Sequence, residues 1–285
     1  MKKNSVTSSL SIPYWNGRRR ALAAASLSIL LLLAVSAAGM LLQSKGTATN
    51  LSMRNLVPSL QHLLGTDWLG RDMFVRTISG LALSIKVGLL GAISSVIIAF
   101  FIGLAAAVGG RRLDRVISWL IDLFMSIPHL VLLILIAFVC GGGMKGIVIG
   151  IMATHWPSLA RVVRAEAQQL LSSHYVKLSR QLGRNSWWIA SRHIAPHVLP
   201  QVVTGFLLMF PHAILHEAAI TFLGLGLSPH QPAIGVILSE SMRYLSTGMW
   251  WLALFPGLGL LIVVRSFDRL GEAARVLLQP RDAHH

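Results

Sequence analysis

The stretch that decides the fold is residues 82–108, ALSIKVGLLGAISSVIIAFFIGLAAAV, an apolar run with a single charge at Lys86. A helix of this length crosses a hydrocarbon core about 30 Å thick, for which roughly 20 apolar residues suffice. Gly88, Gly91 and Gly103 leave gaps along it that predict close contact with neighbouring helices. The run therefore predicts a packed membrane-spanning helix.

Comparable apolar runs recur along the chain. It is 54% hydrophobic and only 12% charged, about half the charged fraction of a typical soluble domain. The sequence predicts an all-α, polytopic membrane protein with about six transmembrane helices, near 21–42, 82–108, 116–140, 146–163, 198–225 and 249–267. The first run is long enough to be retained as a helix rather than cleaved as a signal. Pro128, Pro157 and Pro211 fall inside spans and are typical of kinks.

The basic residues predict the orientation. Eighteen of the 25 lysines and arginines fall on the cytoplasmic side when both termini are placed inside. The expected division is a cytoplasmic tail (1–20), the first span (21–42), an outer loop (43–81), a core of five further spans (82–271) and a cytoplasmic tail (272–285). The basic segment 164–197 then lies in the cytoplasm.

Several classes of function are disfavoured. The net charge of +15 is spread over short segments between spans, so no basic domain suited to nucleic acid is present. The lone Cys140 cannot form an intrachain disulfide or a metal site by itself. The sequence contains neither a G-x-x-x-x-G-K-[ST] phosphate loop nor an HExxH zinc motif. No catalytic residue and no cofactor is predicted.

A polar motif, HLLGTDWLGRDMF at residues 62–74, stands in the predicted outer loop. Asp67 is suited to capping backbone N–H groups and Arg71 to pairing with a carboxylate. The residues alone predict a turn followed by a capped helix. The residues of this motif that are expected to have a structural role are Gly65, Thr66, Asp67, Gly70, Arg71 and Asp72.

This motif resembles the signature of the inner-membrane permeases of peptide- and nickel-importing ABC systems, in particular the second permease of the pair. Three further stretches resemble the same family in the same order. They are the segment with Tyr175-Val176, Gly183 and His193-Ile194-Ala195-Pro196, the stretch 217–227 with Gly224 and Gly226, and residues 251–257. The resemblance covers about residues 60 to 280. Lys177-Leu178-Ser179 departs from the alanine pair usual in the family.

The resemblance implies the type I ABC importer permease fold with a cytoplasmic coupling helix. A short helix from about Tyr175 to Gly183 would dock in a groove of an ATP-binding subunit, and a second, from Trp187 to Ile194, would lead back to the membrane. Gly183 permits the turn because glycine tolerates positive φ. The residues expected to couple are Tyr175, Val176, Lys177, Leu178, Gly183, Arg184, His193 and Pro196.

The implied partners are a second homologous permease, two ATP-binding subunits, an extracytoplasmic substrate-binding protein and membrane lipid, in a bacterial or archaeal cytoplasmic membrane. His212 and His216 are four residues apart and share one helix face. With Glu217 they are the expected pathway residues, and the two histidines are predicted as transient nickel contacts. His155 is expected to hydrogen-bond to neighbouring helices.

The resemblance leaves the cargo open between nickel, free or chelated, and small peptides. The pair His212 and His216 favours nickel over peptides, because the resemblance at these two positions is to the nickel-system permeases of the family. A stand-alone proton-coupled carrier would need repeats or several buried carboxylates, and only Asp122 and Glu217 lie well inside spans. An intramembrane hydrolase would need a nucleophile motif such as G-x-S-x-G, which the chain lacks.

Overall fold

A computed structural model describes residues 17–42 and 48–278, which form helices joined by turns. Parts of the two predicted tails, with Lys2, Lys3 and Arg281, lie outside the described residues. In chain order the elements are α1 (Gly17–Leu42), α2 (Met73–Val108), α3 (Gly110–Ser126), α4 (His129–Val139), α5 (Gly143–Leu171), α6 (His174–Gln181), α7 (Ser186–Ile189), a π-helical segment (Ala190–Ile194), α8 (Ala195–Phe222), α9 (Ile234–Met242) and α10 (Trp251–Leu278).

The predicted spans are present, with one correction. Within the described residues five helices are long and apolar enough to cross a membrane, and the number is six when α3 and α4, which are bent by 97° relative to each other, are counted as one span. The third span, predicted as one run over 116–140 with a kink at Pro128, is instead two helices separated at Ile127 and Pro128. Ile127 is extended (φ −87°, ψ 137°), as favoured before a proline, and Pro128 has no N–H to continue the helix. Pro157 and Pro211 instead lie inside helices that run past them.

Several boundaries differ from those predicted. α2 begins well before residue 82 because Asp72 caps it: its Oδ1 accepts hydrogen bonds from the N–H groups of Phe74 (2.9 Å) and Val75 (3.1 Å). α5 continues to Leu171, past the predicted end at residue 163. The helix α9 was not predicted within the loop 226–248.

Small residues let α2 pack closely on its neighbours. A Cβ atom placed on Gly103 would lie 2.7 Å from the Ala160 carbonyl oxygen and 2.8 Å from the Val163 Cβ, both on α5. On Gly88 it would lie 2.8 Å from Ile214 of α8. These separations are below ordinary van der Waals contact, so the predicted close contacts at these glycines are confirmed.

The polar motif forms an ordered loop at one end of the bundle, here called the motif end. Gly65 (φ +73°) and Gly70 (φ +71°) hold its two turns in the left-handed region. Thr66 Oγ1 donates a hydrogen bond of 2.6 Å to the carbonyl of Met53. A side chain at Gly70 would overlap the carbonyl of Asn50, so the loop folds back tightly on its own first turn.

A buried ion network fixes this loop to two helices. Asp67 is fully buried and accepts hydrogen bonds from Arg71 Nε (2.6 Å), Arg76 Nη1 (3.0 Å) and the N–H of Leu69 (2.9 Å). Arg76 Nη2 donates in turn to Glu240 Oε2 at 2.6 Å. Because Arg76 stands on α2 and Glu240 on α9, the network joins three separate parts of the chain.

Aromatic rings close the same region. Trp68 stacks on Tyr244, with ring centroids 4.6 Å apart, and the Arg71 guanidinium lies 5.1 Å above the Trp68 ring. Trp251 Nε1, at the start of α10, donates to the Thr66 carbonyl oxygen at 3.4 Å. The motif loop therefore also holds the last span in place.

We expect Arg76→Met to lower the stability of the protein by about 3–5 kcal/mol, because it leaves a buried network with carboxylates that have lost a partner. The measurement is the thermal unfolding midpoint in detergent, taken as the temperature at which half of the monodisperse peak is lost. Arg54→Met is the matched control, since Arg54 is exposed. Equal midpoints for the two variants would show that the network does not hold the motif end together.

Candidate functional site

A short helix projects from the end of the bundle opposite the motif loop, here called the coupling end. The chain leaves α5 at Leu171, turns through Ser172 and Ser173, and forms α6 (His174–Gln181). The predicted helix over Tyr175–Gly183 agrees with α6 to within about two residues. The part of segment 164–197 up to residue 171 is a continuation of α5 rather than a separate loop.

Gly183 makes the turn that ends α6. Its φ is +79°, its N–H donates to the Arg180 carbonyl (3.0 Å), and the Arg184 N–H donates to the Ser179 carbonyl (3.1 Å). This is the hydrogen-bond pattern of a glycine-terminated helix. A Cβ on Gly183 would meet nothing within 4 Å in the described residues. Glycine is thus favoured by the backbone conformation and not by lack of space.

Two of the predicted coupling residues hold α6 onto the bundle. Val176 is fully buried and packs in a core cluster that includes Ile189 and Ile194. His193 Nε2 lies 3.1 Å from Ser179 Oγ on α6, and the Tyr175 ring lies 5.6 Å from the His193 ring. Val176 and His193 therefore face inward and anchor the helix.

The outer side of α6 and α7 exposes apolar and basic side chains together. Leu178 is 56% exposed, Leu182 73% and Trp187 63%. Lys177 and Arg184 are exposed beside them. Clustered apolar side chains left in water mark an interaction site. These five residues are called the coupling surface below.

The chain returns from this surface to the membrane without a break. Asn185 caps α7 by accepting from the Trp188 N–H (2.7 Å), and the Arg184 guanidinium lies 4.6 Å over the Trp188 ring. The helix predicted over Trp187–Ile194 is observed as α7 and the π-helical segment, which runs directly into α8. Pro196 lies in the first turn of α8, directly after the π-helical segment, and has no N–H to donate to the preceding turn.

A cavity of about 700 Å³ lies between the α3–α4 break, α5 and α8. Its outer lining is partly exposed, with Met125 on α3, Val162 on α5 and Leu208 on α8. Its polar lining is dominated by histidine, at positions 129, 155, 212 and 216.

The predicted pathway residues divide between the cavity and the core. His212 and His216 both line the cavity, as their spacing on one helix face predicted. Glu217 does not line it: it is fully buried and accepts a hydrogen bond of 3.0 Å from Thr221 Oγ1. One residue along a helix rotates a side chain by about 100°, so Glu217 points into the bundle.

Two further histidines, His129 and His155, join His216 in the cavity wall. The ring centroids lie 4.5 Å apart for His129 and His155, 4.7 Å for His129 and His216, and 5.2 Å for His155 and His216. His155 Nδ1 lies 3.2 Å from the Ile151 carbonyl of its own helix, and its Nε2 lies 3.3 Å from His216 Nδ1 on α8. One ring nitrogen from each histidine falls within 4.8 Å of the others.

These three histidines were not grouped by the sequence, because they belong to three helices far apart along the chain. Histidine is uncommon in apolar spans, so each of these residues, taken alone, indicated a candidate functional position. Their meeting depends on the bend at Pro128, which spacing along the chain does not encode.

The glycines predicted at the end of the fifth span close α8. Gly224 has φ +79°, and the Leu225 N–H donates to the Ile220 carbonyl at 3.1 Å. A Cβ on Gly226 would lie 2.6 Å from Thr221 Cα. Both glycines thus shape the chain after α8 and stand away from the cavity.

Comparison with known proteins gives one consistent result. Residues 95–275 match the family described as binding-protein-dependent transport system inner membrane component. A putative peptide transport system permease protein of Brucella suis is 34% identical over 255 residues, covering 90% of this chain and 86% of that protein. The dipeptide transport system permease protein of Bacillus subtilis is 31% identical over 266 residues, covering 93% and 83%. That of Alkalihalophilus pseudofirmus is 33% identical over 244 residues, covering 86% and 80%.

The family match covers the coupling segment, the cavity and all spans from the second half of α2 onward. The fold is therefore the type I ABC importer permease fold, and the protein is a multi-pass protein of the inner membrane. The chain belongs to the family of binding-protein-dependent transport system inner membrane components, the permease subunits of ABC importers.

Proposed function

We propose that this chain is one of two permease subunits of an ABC importer that carries small peptides across the cytoplasmic membrane. The observation that carries the proposal is the coupling surface, held at one end of a bundle of spans whose relatives are named for peptide and dipeptide transport. None of these three relatives is named for nickel. The expectation of nickel as cargo is thus unsupported, and the peptide alternative takes its place.

The energy for transport comes from other subunits. Permeases of this family work with separate ATP-binding subunits and a substrate-binding protein. The present chain has no G-x-x-x-x-G-K-[ST] phosphate loop. We therefore assign ATP hydrolysis to two partner subunits docked on the coupling surface, and no catalysis to this chain.

A second, homologous permease completes the pathway. The bent span exposes large apolar side chains on both its halves, among them Trp119 on α3 and Val131, Leu135 and Phe138 on α4. Such a surface is stable against lipid or against another apolar helix face. With the second permease beside it, the open side of the histidine-lined cavity becomes part of an enclosed path.

Motion at the coupling surface reaches the cavity through a continuous set of contacts. Val176 and the Ser179–His193 pair tie α6 to the chain that leads into α8. α8 then carries His212 and His216 in the cavity wall. A displacement of α6 by the ATP-binding subunits therefore moves the cavity lining through α8.

Both termini are proposed to lie in the cytoplasm, on the side of α6. Residues 1–20 and 272–285 are then the cytoplasmic tails, the loop 43–81 faces outward, and 82–271 is the permease core. The motif end accordingly faces the substrate-binding protein, and the coupling end faces the ATP-binding subunits.

We expect Leu178→Glu to weaken binding of the ATP-binding subunits by about 2 kcal/mol or more, because it places a charge at the centre of the coupling surface. The measurement is the amount of ATP-binding subunit that copurifies with the permease. Leu60→Glu is the matched control, since Leu60 is 97% exposed at the motif end. Undiminished copurification with Leu178→Glu would place the docking site elsewhere.

We expect Gly183→Val to reduce ATP-driven uptake of radiolabelled dialanine to background, because a β-branched residue resists the positive φ of the turn that positions α6. Uptake is measured in proteoliposomes containing the complete importer. Gly248→Val is the control. Gly248 also has a positive φ (+86°), and a Cβ there would likewise meet nothing within 4 Å in the described residues, but the residue follows α9 at the motif end. Equal uptake by both variants would exclude a specific role for the Gly183 turn.

We expect a cysteine at Lys177 to react with a membrane-impermeant maleimide only from the cytoplasmic side. The experiment uses Lys177→Cys with Cys140→Ser, so that one thiol is present, in cells that lack the ATP-binding subunits which would cover this surface, and compares intact cells with inside-out vesicles. Leu60→Cys in the same background should show the reverse pattern. Labelling of Lys177→Cys in intact cells would invert the proposed orientation.

A further inference from the structure

We propose that His129, His155 and His216 form a binding site for a divalent first-row transition metal ion in the wall of the cavity. The site is distinct from the coupling surface. The proposed metal binding does not depend on which cargo the importer carries, because it requires only these three side chains.

The spacing of the ring nitrogens suits such an ion. Tetrahedral zinc with Zn–N bonds of about 2.0–2.1 Å places its ligand nitrogens roughly 3.3 Å apart. His155 Nε2 and His216 Nδ1 are already 3.3 Å apart, and the nitrogen from His129 completes a set within 4.8 Å.

The three rings leave hydrogen-bonding capacity that an ion would use. His129 Nε2 is buried and has no hydrogen-bond partner among the described residues. An unsatisfied buried polar atom costs about 1–3 kcal/mol. A metal ion accepts the lone pairs of all three nitrogens at once and removes that cost.

A backbone carbonyl orients the most buried of the three ligands. His155 Nδ1 lies 3.2 Å from the Ile151 carbonyl oxygen, to which it donates its proton. The lone pair of His155 is then on Nε2, the nitrogen that faces His216. Metal-binding histidines usually make such a hydrogen bond with their second nitrogen.

The ligand set selects the class of ion. Three neutral imidazoles suit Zn²⁺, Co²⁺, Ni²⁺ or Cu²⁺, whereas Mg²⁺ and Ca²⁺ require oxygen ligands. Among the described residues the cavity lining contains no carboxylate. The fourth coordination position faces the cavity, where water or a donor atom of a bound molecule completes the shell.

An ion at this position joins three helices. His129 begins α4 directly after the break, His155 lies within α5, and His216 lies within α8. Binding therefore restrains α8 against the other two helices and stabilises the folded state by an amount that grows with the logarithm of its affinity.

The test uses the complete importer, purified without a polyhistidine tag, and Co²⁺ as the probe because its visible absorption is strong in four-coordinate nitrogen sites. We expect one Co²⁺ per copy of this chain, displaced by Zn²⁺. His129→Gln, His155→Gln and His216→Gln should each weaken binding on the order of 10–100-fold, as loss of a key metal-site group does. His212→Gln, in the same cavity, and His230→Gln, on an exposed turn, are the matched controls.

The proposal is overturned if the unaltered importer shows no Co²⁺ spectrum, or if the control substitutions weaken binding as much as the three ligand substitutions. Should His155→Gln prevent assembly, the half-buried His129 and His216 decide the question. Uptake of radiolabelled dialanine is measured on the same preparation. Normal uptake without metal binding would reject only the metal site, and metal binding without uptake would reject only the peptide cargo.

Discussion

The buried pairing of Arg76 with Asp67 and Glu240 is the constraint on which the rest of the fold depends. Charges withdrawn from water are stable only when each has a partner, so the three groups must meet. They come from the motif loop, the first turn of α2 and α9. Their meeting sets where α2 begins and how the polar loop lies against the last two helices. The motif end is thereby fixed by interactions that are costly to break.

The coupling end is built on weaker contacts. α6 is joined to the bundle mainly by the single buried side chain of Val176 and the hydrogen bond between Ser179 and His193. Segments with few buried contacts move at low energetic cost. The proposed docking of ATP-binding subunits therefore acts on the end of the bundle that moves at the lower energetic cost.

Local features of the sequence predicted much of this structure, and contacts between distant segments account for what they missed. The spans follow from apolar runs, whereas α6 and the turn at Gly183 were implied by the family resemblance, for which the tolerance of glycine for positive φ gives the physical reason. Pro128 predicted a kink in the third span, but not that the helix would end at Ser126 and the chain would turn by 97°. The spacing of His212 and His216 predicted a shared helix face but not its ligand. The expectation of nickel as cargo found no support in the names of the relatives.

The break and the histidine cluster are best understood as one feature. His129 follows Pro128 directly, so the 97° bend that ends α3 also brings the first residue of α4 against α5 and α8. The bend places this imidazole beside two other rings on an open cavity, with its buried Nε2 lacking a hydrogen-bond partner among the described residues. The irregular backbone thus creates the only setting in the described bundle where three span histidines share one space.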